Sequence, residues 1–88
     1  MRIELDCAQM TDRASAHDYL KEKFFFPDYY GRNLDALYDL LTSLGEIVTI
    51  VLVNGYMAEK NLGGYGAALI SAIREAAEEN PNMELIEE

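Results

Sequence analysis

Pro27-Asp28-Tyr29-Tyr30-Gly31-Arg32-Asn33-Leu34-Asp35-Ala36-Leu37-Tyr38-Asp39 is an aromatic turn that feeds an acidic helix. Pro27 fixes its own φ and biases Phe26 toward extended geometry, and Gly31 permits a positive φ, so the chain is expected to bend between Phe26 and Asn33. Asn33 is a good N-cap. Leu34, Leu37, Leu41 and Leu44 follow at spacings of three, four and three, an apolar stripe of about three turns for the core. At roughly 100° per residue, Asp35 and Asp39 fall on the opposite face one turn apart, with Tyr38 on the border. Such a pair of like charges costs a few tenths of a kcal/mol, so the face is either plain solvated surface or kept for a partner.

Outward from this stretch, the chain alternates elements. Arg2-Ile3-Glu4-Leu5 reads as a short strand, and Thr11 or Asp12 offers a cap for a helix whose buried stripe is Ala16, Tyr19, Leu20 and Phe24. His17, the only histidine, lies beside that stripe as a structural imidazole, and Cys7 is a small buried hydrophobe; a Cys7-His17 nucleophile pair lacks support in the sequence. Phe24-Phe25-Phe26 is expected to pack at the helix end, at least one ring sealing the turn before Pro27. Gly45 is a candidate C-cap for the acidic helix. The run Glu46 to Val53 is almost continuously β-branched, as a central strand covered on both faces would be, and Asn54-Gly55 ends it.

Tyr56 to Lys60 reads as a short helical turn. Leu62-Gly63-Gly64-Tyr65-Gly66 is expected to loosen the backbone ahead of a long helix with an apolar face of Leu69, Ile70, Ile73, Ala76 and Ala77, from which Ser71 and Glu75 point away. These glycines match no phosphate-binding pattern. Asn80-Pro81-Asn82 stops the helix, and Met83-Glu84-Leu85-Ile86 is a last short strand. Strand, two helices, strand, helices, strand is an α/β order, with parallel strands joined by right-handed crossovers.

Eighty-eight residues, 50% apolar and 26% charged, describe one globular domain over residues 1–88. Sixteen acidic against seven basic residues give a formal charge of −9, which argues against nucleic acid and anionic membranes and for a basic partner. The longest apolar run, Ile47 to Val53, is too short to span a bilayer. One cysteine makes no internal disulfide, and Met1-Arg2-Ile3-Glu4 lacks the apolar core of a signal peptide, so a reducing cytoplasm is expected. Asp28, Asp35 and Asp39 as carboxylates alone are a weak metal signal; no metal, cofactor or catalytic residue is expected.

The segment Pro27 to Asp39 resembles, without gaps, the signature of the barstar family, small intracellular inhibitors of bacterial secreted ribonucleases of the barnase type. The resemblance takes in His17, Leu20 and Phe26-Pro27 upstream and Arg74-Glu75-Ala76 downstream; Leu44 to Gly64 matches poorly. It implies a three-stranded parallel sheet in order one-two-three, packed against about four helices in two layers. It also implies an inhibitor that is not an enzyme, a monomer when free, bound one-to-one to a basic extracellular ribonuclease. By residue matching, Asp39 stands in for an RNA phosphate, Asp35 meets further basic groups, and Tyr29 packs near the enzyme's catalytic histidine. Asn33 and Gly31 give hydrogen bonds and close backbone approach, with Thr42 and Glu75 on the rim. Tyr38 takes the place of a frequent family tryptophan, and Ser43-Leu44-Gly45 replaces a loop that often carries another. The alternative is a binding or immunity module of the same fold for a different basic toxin or a regulatory partner.

Overall fold

Val48 to Val53 forms the middle strand of a sheet whose neighbours come from the two ends of the chain. A computed structural model describes all residues, Met1–Glu88. The order is β1 (Arg2–Asp6), a 3-10 turn (Cys7–Gln9), α1 (Arg13–Phe24), α2 (Leu34–Thr42), β2 (Val48–Val53), α3 (Tyr56–Leu62), α4 (Gly64–Glu79) and β3 (Met83–Glu87). The strands are parallel in the order β1-β2-β3, with Ile3 opposite Ile50 and Ile50 opposite Leu85. Two right-handed crossovers in the same direction place all four helices on one side, which makes two layers. The fold is the three-stranded α/β arrangement expected from the sequence.

Alternation along the strands sends Ile3, Leu5, Val48, Ile50, Leu52 and Met83 into the helices, where they join Leu20, Leu37, Leu41, Leu69 and Ile73 in a continuous core. Burying each such Leu or Ile contributes about 1.5–3 kcal/mol. The cover expected on both faces of β2 comes from helices on one side only. Val51 is only 2% exposed, yet it lies outside that core, flanked by Glu4 and Ile86 of the neighbouring strands. A central strand is shielded by its neighbours' side chains, so a β-branched run does not report how many layers cover it.

Local chemistry explains most element ends. Asp12 caps α1 by accepting the Ser15 N–H at 2.8 Å. Asn54 closes β2 at φ 56°, and its amide donates to Asp6 Oδ1 at 2.9 Å, joining the ends of β1 and β2. Three boundaries move. β2 starts at Val48, leaving Ile47 74% exposed. α2 stops at Thr42 with Ser43 as its cap, so Gly45 is no C-cap and Leu44 packs on the core from beyond the helix. Of the three glycines near residue 64 only Gly63, at φ 63°, breaks the chain; Gly64 and Gly66 are helical. A Cβ on Gly66 would lie 2.0 Å from the Ala58 carbonyl oxygen, so this glycine lets α4 press against α3.

Two groups singled out in the sequence are structural. Cys7 is fully buried, and burial, then the Asp6 charge, pushes its thiol up to about 11. His17 is 2% exposed and holds the Tyr30 hydroxyl at Nδ1 and the Tyr65 hydroxyl at Nε2, both at 2.6 Å. A neutral imidazole serves both phenols, donating from one nitrogen and accepting at the other. No helix is long and apolar enough to cross a membrane.

Candidate functional site

The turn ahead of α2 displays one tyrosine because it buries the next. Tyr30 donates its N–H to the Pro27 carbonyl at 2.9 Å, sends its hydroxyl to His17, and sets its ring 4.8 Å from that of Phe26. Phe26 in turn stacks on Phe24 at 5.3 Å. Side chains on either side of so tight a turn diverge, and Tyr29 is left 82% exposed. The positive φ of the turn falls at Arg32 (54°) and not at Gly31. Gly31 is instead a close-approach residue: a Cβ there would sit 3.2 Å from Asn33 Nδ2 and 3.3 Å from the Ala36 Cβ.

Asn33 fastens the start of α2. Its side-chain Oδ1 accepts the Ala36 N–H at 2.8 Å and its Nδ2 donates to the Gly31 carbonyl at 3.2 Å. The other end is tied by three residues. Thr42 Oγ1 donates to the Tyr38 carbonyl (2.8 Å) and Ser43 Oγ to the Asp39 carbonyl (2.6 Å), so the Thr42 hydroxyl hydrogen is spent within the helix. Asn80, 4% exposed, reaches across from the end of α4 and donates to the carbonyls of Leu41 (2.9 Å) and Leu44 (3.1 Å). Both ends of a helix of nine residues are therefore held by side chains, a length that would be marginal alone.

Between α2 and α4 runs a shallow groove of about 520 Å³ lined by Asp35, Tyr38 and Glu75, with Leu34, Ala68 and Ser71 among its floor residues. Asp35, Asp39 and Glu75 are exposed, while Tyr38 is half-buried on the border. Burial is the largest cause that pushes the Tyr38 phenol up, followed by the charges of Glu79, Glu75 and Asp39. These groups thus share one face. Glu79 was not singled out from the sequence, although its place four residues after Glu75 on one helix was a readable signal. The chain has three ion pairs, Lys21–Asp28, Arg32–Asp18 and Arg74–Glu87, and none involves Asp35, Asp39, Glu75 or Glu79. Arg74, next to Glu75 in sequence, is turned to Glu87 in a two-oxygen contact. The face is left with carboxylates and no compensating cation, and no group of His, Cys, Asp and Glu is arranged to hold a metal.

Thr42 lies at the end of this face, and Tyr29, Gly31 and Asn33 lie at its start on the turn. The family model described as "Barstar (barnase inhibitor)" matches residues 1–86, including the 44–64 segment. The Bacillus subtilis (strain 168) protein named "Putative ribonuclease inhibitor YrdF" is 50% identical over 79 residues, which cover 89% of this chain and 87% of that one.

Proposed function

The chain belongs to the barstar family, a family of inhibitors and not of enzymes, and we propose that it inhibits a basic secreted ribonuclease of the barnase type by covering its active site in a one-to-one complex. The observation that carries this reading is the unneutralised acidic face: Asp35, Asp39, Glu75 and Glu79 surround Tyr38 without an intramolecular cation. A ribonuclease cleft gathers Arg, Lys and His to hold phosphate. A carboxylate on a helix clamped at both ends enters such a cleft with little ordering cost, and charge-assisted hydrogen bonds replace those made to RNA. Asp39 takes the phosphate's place, Asp35 and Glu75 meet flanking bases, and Tyr38 lines the groove between them. Tyr29 anchors the near edge, Gly31 and Asn33 bring backbone and amide close, and Thr42 closes the rim.

The inhibitor reading places the protein in the cytoplasm, where a lone buried thiol stays reduced. Asp39→Ala tests it. The change relieves repulsion with Asp35 and leaves the core untouched, so equilibrium unfolding should be unchanged or slightly more stable. Inhibition should weaken by about 3–5 kcal/mol, because buried bases of the enzyme lose their partner. Inhibition within about tenfold of wild type, some 1.4 kcal/mol, would refute the phosphate-mimic role.

A further inference from the structure

Phe25 is as exposed as Tyr29, at 82%. α1 ends at Phe24, and its cap residue Phe25 takes the left-handed conformation at φ 56° and ψ 42°. Glycine occupies that position without steric conflict, asparagine with little, and a phenylalanine is an outlier there. The cap is made by backbone alone, since the N–H groups of Phe25 and Phe26 both donate to the Lys21 carbonyl. Whereas Phe24 and Phe26 stack in the core, the Phe25 ring is 82% exposed. The expected helix-end packing therefore holds for Phe24 and Phe26 and not for Phe25. A bulky side chain held on a left-handed backbone with its ring in solvent is an outlier of the kind that marks a functional position.

The ring lines a groove of about 550 Å³ together with Asp18, Lys21, Glu22, Phe26 and Arg32. Arg32 ties this groove to the acidic face, because it sits in the turn that displays Tyr29 and precedes the Asn33 cap. Both cations of the groove are already neutralised, Lys21 by Asp28 and Arg32 by Asp18. Glu22 has no cation of its own. The groove therefore offers an aromatic wall beside a free carboxylate. We infer that Phe25 is a second aromatic contact beyond Tyr29, and that it receives an apolar side chain flanked by a lysine or arginine on the rim of the ribonuclease cleft. This rests on the inhibitor reading and extends its footprint from α2 across the turn to the end of α1.

The test is affinity and dissociation rate of the full chain with barnase as the probe, for wild type, Phe25→Gly, Phe25→Asn and Asp39→Ala, beside urea unfolding of each. Both replacements at position 25 suit the left-handed backbone, so their unfolding midpoints should equal or exceed that of wild type. Each should lose about tenfold in affinity, mainly through faster dissociation. Affinity within about twofold of wild type for both, while Asp39→Ala binds poorly, overturns the role of Phe25 and leaves the inhibitor reading intact. Affinity losses that track a fall in the unfolding midpoint overturn it too, because they return the ring to the fold. A wild-type chain without affinity for barnase removes the barnase-type inhibitor reading and this inference with it, whereas an Asp39→Ala variant as tight as wild type refutes only the phosphate-mimic role of Asp39.

Discussion

At the scale of single residues, His17 joins α1 to the tyrosine turn and to α4, and its protonation is set by that position. Burial, then the nearby Arg32 guanidinium, holds its pKa below the ordinary 6.5, against a smaller opposing effect of Asp18. The unfolded chain therefore takes up a proton near pH 6.5 that the folded chain resists. Below that point the unfolded state binds more protons, so the stability due to neutral His17 is complete above pH 6.5 and drains as pH falls through the folded value. Urea midpoints should decline on acidification below about pH 6.5, and a His17→Gln profile subtracted from wild type should isolate that decline. A difference profile flat with pH would deny the depressed pKa. Tyr29 is the opposite case, a ring that is 82% exposed and touches little of its own fold. On the inhibitor reading, Tyr29→Ala should cost about 2 kcal/mol in ribonuclease binding while the thermal midpoint stays within a degree or so. A large fall in the midpoint at unchanged affinity would make it a residue of the fold.

At the scale of elements, the helices are held by features of unequal visibility in the sequence. The Asn33 and Asp12 caps were readable because a cap acts within three residues, and the acidic face of α2 follows from periodicity alone. Gly66 and Asn80 were not. One is a glycine that exists for a contact with α3, the other a helix stop whose amide serves carbonyls some forty residues away in the chain. No local pattern encodes a partner at that separation. The same holds for α2's early end: the leucine spacing continues to Leu44, but the helix yields at Ser43, and Asn80 collects the carbonyls of Leu41 and Leu44. Gly66→Ala should destabilise by about 1–3 kcal/mol, because two helices must move apart to admit a methyl group. Asn80→Ala should cost about 1–3 kcal/mol by stripping a buried donor from two carbonyls. Denaturant unfolding measures both, and a neutral Gly66→Ala would mean that the approach of α3 and α4 is soft.

At the scale of the whole molecule, the net charge is −9 and the Asp35, Asp39, Glu75 and Glu79 face has no ion-pair partner, so association with a basic enzyme should be steered from a distance. Stopped-flow association rates should fall by at least about tenfold between roughly 0.02 and 0.15 M salt, while dissociation rates change little. Rates flat with ionic strength would exclude steering. The layer arrangement was legible from the order of elements, since adjacent parallel strands joined by right-handed crossovers leave one solution. What lay against each strand face was not, because Val51 is sheltered by Glu4 and Ile86 and not by a helix. The buried Cys7, with its thiol raised to about 11, has a further consequence. It sits where β1 passes into the 3-10 turn, so a thiol reagent meets it only in molecules whose first strand has come away from the sheet. The chain thus carries its own clock: the labelling rate in dilute urea times the opening of that corner, and the same clock run with a bound partner reveals whether gripping α2 also quiets the far end of the sheet.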